Sequence, residues 1–108
     1  MLSGKAVDGY DKAQELIFLF GKNLNKVLLA KGMKRVDLCR LAAAYGYRLH
    51  AQVIGDIINN RDKGTANINM RITAFCVICE LIGESLPRML SYEYTEDDIN
   101  RIKDGLTS

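Results

Sequence analysis

The chain has 108 residues, 48% of them hydrophobic and 26% charged, with a formal net charge of +2. That is the balance of a single globular domain. Its apolar runs are short and interrupted by Gly21, Lys22, Asn23 and Lys26. None approaches the roughly 20 residues that span a bilayer. No secretory leader pattern opens the chain, so a cytoplasmic protein is expected. Three cysteines, Cys39, Cys76 and Cys79, are an odd number and argue against a disulfide framework.

Hydrophobic period predicts helices throughout. Leu16, Phe20, Leu24, Val27 and Leu28 share one face of a long first helix, from about Asp11 to Lys31, with Gly32 at its expected C-terminus. Val36, Leu38, Leu41 and Ala42 mark a second helix that is alanine-rich through Ala44 and stops near Gly46. A third runs roughly from His50 to Asn59 on Ile54, Ile57 and Ile58. Asn59-Asn60 should end it, because asparagine tolerates the left-handed cap. After the polar loop Arg61 to Asn67, Asn69 is the expected N-cap of a fourth helix. Its buried stripe would be Ile72, Phe75, Cys76, Cys79 and Ile82, closed by Gly83. A short turn of helix at Leu86–Leu90 accepts Pro87 in its first turn. Thr95 and Asp98 then have capping-box spacing ahead of a stripe of Ile99, Ile102 and Leu106.

Charge is segregated along the chain. Between Lys22 and Lys63 nine Lys and Arg face three acids, whereas from Glu80 onward seven acids face three bases. A basic middle suits a polyanion-binding module, and chance segregation of solvated helix faces is the bland alternative.

The ordering of segments from Gly32 to Leu90 carries a resemblance. Gly32-Met33-Lys34-Arg35-Val36-Asp37-Leu38-Cys39 resembles the approach to the second helix of the Cro/lambda-repressor-like (XRE) helix-turn-helix family. Ile54-Gly55-Asp56-Ile57-Ile58-Asn59-Asn60-Arg61 is similar to that family's recognition helix. Asn67-Ile68-Asn69-Met70-Arg71 and Gly83-Glu84-Ser85-Leu86-Pro87-Arg88-Met89-Leu90 resemble its fourth and fifth helices. Two departures stand out: extra residues between Ala42 and Leu49, and apolar Ile58 where many members carry an acid.

The resemblance implies an all-α, five-helix lambda-repressor-like DNA-binding domain with an extended N-terminal helix and a short C-terminal helix. Residues 1–91 would form the helix-turn-helix domain, with the motif at about 34–60, and residues 92–108 an acidic helix. The function implied is a transcriptional regulator on double-stranded DNA, a homodimeric repressor occupying a palindromic operator. Phage lysogeny control, restriction–modification control and toxin–antitoxin autoregulation all use such domains. The rival reading is a helical protein-interaction module, favoured by the modest net charge and the acidic C-terminal third.

Physical reasoning assigns the contacts. A helix in the major groove needs one apolar anchoring face and one face of short or amide-bearing side chains. Ile54, Ile57 and Ile58 would anchor, while His50, Ala51, Gln52 and Gly55 would face the bases. Gln52 is the best base reader, since an amide can pair with adenine in bidentate fashion. Gly55 admits either close approach to the duplex or tight packing on the second helix. Lys34, Arg35, Arg48, Asn59, Arg61 and Lys63 flank the motif as phosphate contacts. Tyr92, Tyr94, Ile99, Ile102 and Leu106 are the dimerisation candidates, with packing on the chain's own core as the alternative use; the segment before Glu15 is a second candidate.

Cys76-Val77-Ile78-Cys79 has CxxC spacing, yet no second pair completes a tetrahedral metal site, so two buried cysteines on an apolar stripe are expected. His50 is the sole histidine and has no visible catalytic partner. No enzyme chemistry, cofactor, metal or small-molecule ligand is predicted.

Overall fold

The described residues form six helices: α1 (Gly4–Lys31), α2 (Arg35–Ala44), α3 (Ala51–Ile58), α4 (Ile68–Ile82), α5 (Leu86–Met89) and α6 (Glu96–Thr107). The computed structural model describes residues 4–59 and 68–107, with side chains described for 12–59 and 72–106. Among the described residues there is no strand, and no helix is long and apolar enough to cross a membrane. The expected helices all form.

The first of them, α1, begins at Gly4, earlier than the predicted Asp11. Once a helix is nucleated, each added residue gains a hydrogen bond, and Lys5 and Ala6 are good helix formers in the extension. At 28 residues α1 is about 42 Å long, and α3, α5 and α6 all pack against it. Its face of Phe20, Leu24, Val27 and Leu28 meets Leu38, Ile54, Ile57, Ile78, Met89 and Ile102 in one core. Phe20 stacks flat on Phe75 with ring centroids 3.9 Å apart.

Three helices end on a glycine at positive φ: Gly32 (66°), Gly46 (82°) and Gly83 (72°). In each case the next residue's N–H reaches back to a carbonyl five positions earlier: Met33 to Leu28 (2.9 Å), Tyr47 to Ala42 (3.0 Å) and Glu84 to Cys79 (3.0 Å). This Schellman arrangement satisfies carbonyls that a bare helix end would leave unpaired. Asn59 does not take the left-handed cap expected of it. Its φ is −93°, and it closes α3 by donating its side-chain amide to the Gly55 carbonyl at 2.8 Å. Asn60 lies outside the described residues.

Two expectations for α4 are corrected. The helix starts at Ile68, so Asn69 is inside it and is not its N-cap. The inner face is Ala74, Phe75, Ile78, Cys79 and Ile82, while Ile72 is 52% exposed and Cys76 is exposed. Phe75 against Phe20 and the Cys79 thiol 3.6 Å from the Met89 sulfur fix the rotation of α4. That rotation turns Ile72 and Cys76 outward.

The tail folds back onto α1. Asn23, fully buried, donates its amide to the carbonyls of Met89 (2.9 Å) and Tyr92 (2.8 Å) and accepts from the Tyr94 N–H (2.8 Å). Tyr94 in turn donates its hydroxyl to Glu84 at 2.7 Å, and Arg101 pairs with the same carboxylate at 3.0 Å. Burial, then the Glu84 carboxylate, hold the Tyr94 phenol well above its ordinary range. Tyr94 and Ile102 are thus removed as dimerisation candidates, since both lie in the chain's own core at 2% and 4% exposure. Ile99 is half-buried against that core, and the Tyr92 hydroxyl donates to Asp98 at 3.0 Å. Leu106 remains 53% exposed.

The predicted capping box opens α6: the Thr95 N–H donates to Asp98 at 2.9 Å and the Asp98 N–H to the Thr95 hydroxyl at 3.4 Å. The Thr95 N–H above all holds the Asp98 carboxyl below its ordinary range. A carboxyl depressed in the folded state stabilises above its unfolded pKa of about 3.9, and that contribution is lost as pH falls through the folded value. Melting curves should therefore show Asp98→Asn less stable than the natural chain at neutral pH. The gap should narrow as pH falls below the unfolded value of about 3.9; a gap constant with pH would refute the linkage.

Candidate nucleic-acid interface

The motif region folds as two helices joined by the six residues Tyr45 to His50. In α2, Leu38 and Ala42 point into the core, and Asp37 accepts from the Lys34 N–H at 2.8 Å, fixing the first turn. Beyond Gly46 the connection is pinned by Leu49, which is 8% exposed, so Arg48 and His50 on either side of it are left exposed. Of the residues between Ala42 and Leu49, Ala43 and Ala44 belong to α2 and Tyr45 to Arg48 to the connection.

The next helix, α3, is held by its apolar side. Ile54 and Ile57 are fully buried and Ile58 packs against the core. The position of α3 depends on a residue outside the motif. A Cβ added at Gly21 of α1 would lie 2.1 Å from the Ile57 carbonyl oxygen. The two helices therefore cross with backbone against backbone, which only glycine permits. Glycine costs about 1 kcal/mol inside a helix, a signal that Gly21 has a packing task.

The proposed contact residues divide into five groups. Gln52 and His50 are exposed and Ala51 is half-buried at the start of α3. Gly55 is buried, which corrects the expectation that it faces outward and favours its packing alternative. Lys34, Arg35 and Arg48 are exposed and carry no ion pair among the described residues. Asn59 is exposed but spends its amide on the Gly55 carbonyl. Arg61 and Lys63 lie outside the described residues.

Lys34 and Arg35 share an open hollow with Ala51 and Ile58, so the start of α2 and the flank of α3 lie side by side. Asp56, one helical turn after Gln52, is half-buried and already engaged within the fold.

Two bases counted toward the basic middle are used elsewhere. Lys22 and Lys26 pair with Glu93 at 3.3 and 2.8 Å, and Lys26 also donates to the Tyr94 carbonyl at 2.9 Å. These bonds hold the Glu93 carboxyl below its ordinary range. Among the described residues, the exposed bases of this stretch left without an ion pair are Lys34, Arg35 and Arg48.

The CxxC pair does not converge. Cys79 is buried and its thiol is pushed up to about 12, first by burial and then by the neighbouring Cys76 and Glu84. Such a thiol stays protonated and is a poor ligand or nucleophile. Cys76 is exposed, which corrects the expectation that both are buried.

Compared with known proteins, the chain matches no family model, no curated protein and no solved structure.

Proposed function

We propose that the chain is a sequence-specific double-stranded-DNA-binding regulator whose reading helix is α3. The observation that carries this reading is the juxtaposition at one end of the fold. Exposed Lys34 and Arg35, without an ion pair among the described residues, stand at the start of α2, and exposed His50 and Gln52 stand at the start of a helix anchored by buried Ile54 and Ile57. Cations beside a helix that presents an amide suit phosphate anchoring combined with base reading in the major groove. The lambda-repressor-like arrangement and a dimeric repressor on a palindromic operator are finer parts of the proposal that rest on the family resemblance, and a cytoplasmic setting is the part that rests on the sequence pattern alone.

Selection of a bound site from random duplexes, followed by a salt titration, tests it. The logarithm of the binding constant should fall linearly with that of salt, with a slope of about −0.9 per phosphate neutralised. Arg35→Ala should weaken all duplexes alike and flatten that slope by about one. Gln52→Ala should cost about 1–3 kcal/mol on the selected site and little on unrelated DNA. Binding that is unchanged in both variants would remove α3 as the reader.

A further inference from the structure

We propose that the hollow between the end of α1, the start of α2 and the flank of α3 receives an acidic amphipathic helix of a partner protein. The hollow encloses about 450 Å³, with Leu29, Met33, Val36 and Ile58 among its lining residues and Lys34 and Arg35 beside them. Leu29 is 72% exposed and Val36 47%. Leu29 also borders a second hollow toward α6, lined by half-buried Ile99 and by Lys26, Glu96 and Lys103. Single exposed aliphatics are ordinary, but a contiguous set rimmed by polar groups marks an interaction site. Leu29 is left largely uncovered by the described residues.

The occupant follows from shape and charge. An open apolar trough is filled well by one face of a helix, with aliphatic anchors at i, i+3, i+4 and i+7. Lys34 and Arg35 carry no ion pair among the described residues, and Asp37 is engaged by the Lys34 N–H and faces Arg40 at 3.8 Å. Glutamates or aspartates flanking the anchors would therefore meet two unpaired cations. A second copy of this chain fits poorly, since a symmetric contact here would set Lys34 and Arg35 against themselves. Partner and duplex would compete for these two bases; this consequence alone rests on the reading of α3 given above.

The test is selection of binders to the whole chain from a displayed library of single helices. Anchor positions would vary between aliphatic residues and serine, and flanks among Glu, Gln and Lys. The recovered helices should carry aliphatic anchors and acidic flanks. They should lose about tenfold or more in affinity on the double variant Leu29→Ser/Val36→Ser, whose melting should stay close to that of the natural chain because both sites are exposed. Recovery of basic helices, of helices without aliphatic anchors, or of none overturns the proposal, as does equal affinity for the double variant. Binding is read directly on the labelled helix, so the outcome stands even if no duplex binds. Where a duplex does bind, it should be displaced by the helix.

Discussion

Gly21→Ala is expected to lower the stability of the chain by about 2 kcal/mol, or roughly 10 °C in melting temperature. The added Cβ would sit 2.1 Å from the Ile57 carbonyl oxygen and 3.0 Å from its carbon, both rigid backbone atoms. Relief requires α1 and α3 to move apart, and overpacking of this kind costs about 1–3 kcal/mol, occasionally more. Removing a mid-helix glycine offsets about 1 kcal/mol of that, so the effect on packing must be the larger one. Gly105→Ala supplies the contrast: nothing lies within 4 Å of its added Cβ, and a gain of up to about 1 kcal/mol is expected. Thermal melts of the two variants should move in opposite directions. A Gly21→Ala chain that melts at or above the natural one would disprove the close crossing.

Asn23→Ala should be more damaging still, costing about 4 kcal/mol. It strands the Met89 and Tyr92 carbonyls and the Tyr94 N–H, groups in buried or partly buried surroundings, and each unsatisfied partner costs about 1–3 kcal/mol. Asn23→Asp separates this cause from mere loss of volume. The carboxylate keeps an acceptor for the Tyr94 N–H but turns a second oxygen toward two carbonyls. Burial and those carbonyls raise its folded pKa above the unfolded value of about 3.9. Its penalty relative to the natural chain should thus be small below about pH 4 and grow as pH rises. Denaturant titrations across that range would decide. An Asn23→Asp deficit independent of pH would mean that the side chain does not face the carbonyls.

The two positions differ in how plainly the sequence announces them. Asn23 interrupts the stripe of Phe20, Leu24 and Val27, and a polar residue there needs buried partners. The partners themselves, 66 to 71 residues away, leave no local trace. Gly21 reads only as a gap in an apolar run, and its task emerges once α3 is laid across it. Rotation of α4 is similar. The stripe predicted there shares Phe75, Cys79 and Ile82 with the real one, but local period does not register the Phe20 stack or the Met89 contact that turn Cys76 outward.

The proposed reading face was legible in part. Gln52, His50, Lys34, Arg35 and Arg48 are polar residues at helix starts and in a turn, where solvent exposure follows from local position alone. Gly55 could not be placed that way, because a residue without a side chain gives the apolar pattern nothing to read. Availability of charge was also hidden: Lys22 and Lys26 count as basic in sequence but are spent on Glu93 across the fold.

Sequence alone determined the helix spans to within a few residues at most ends, the three glycine stops, the Thr95–Asp98 cap and most of the core. Each of these depends on neighbours within about one or two helical turns. The tertiary structure alone decided the backbone crossing at Gly21, the partners of Asn23, the burial of Tyr94 and Ile102, and the apolar hollow around Leu29. Those features join segments remote in the chain, and hydrophobic period states which face of a helix is buried without stating what buries it.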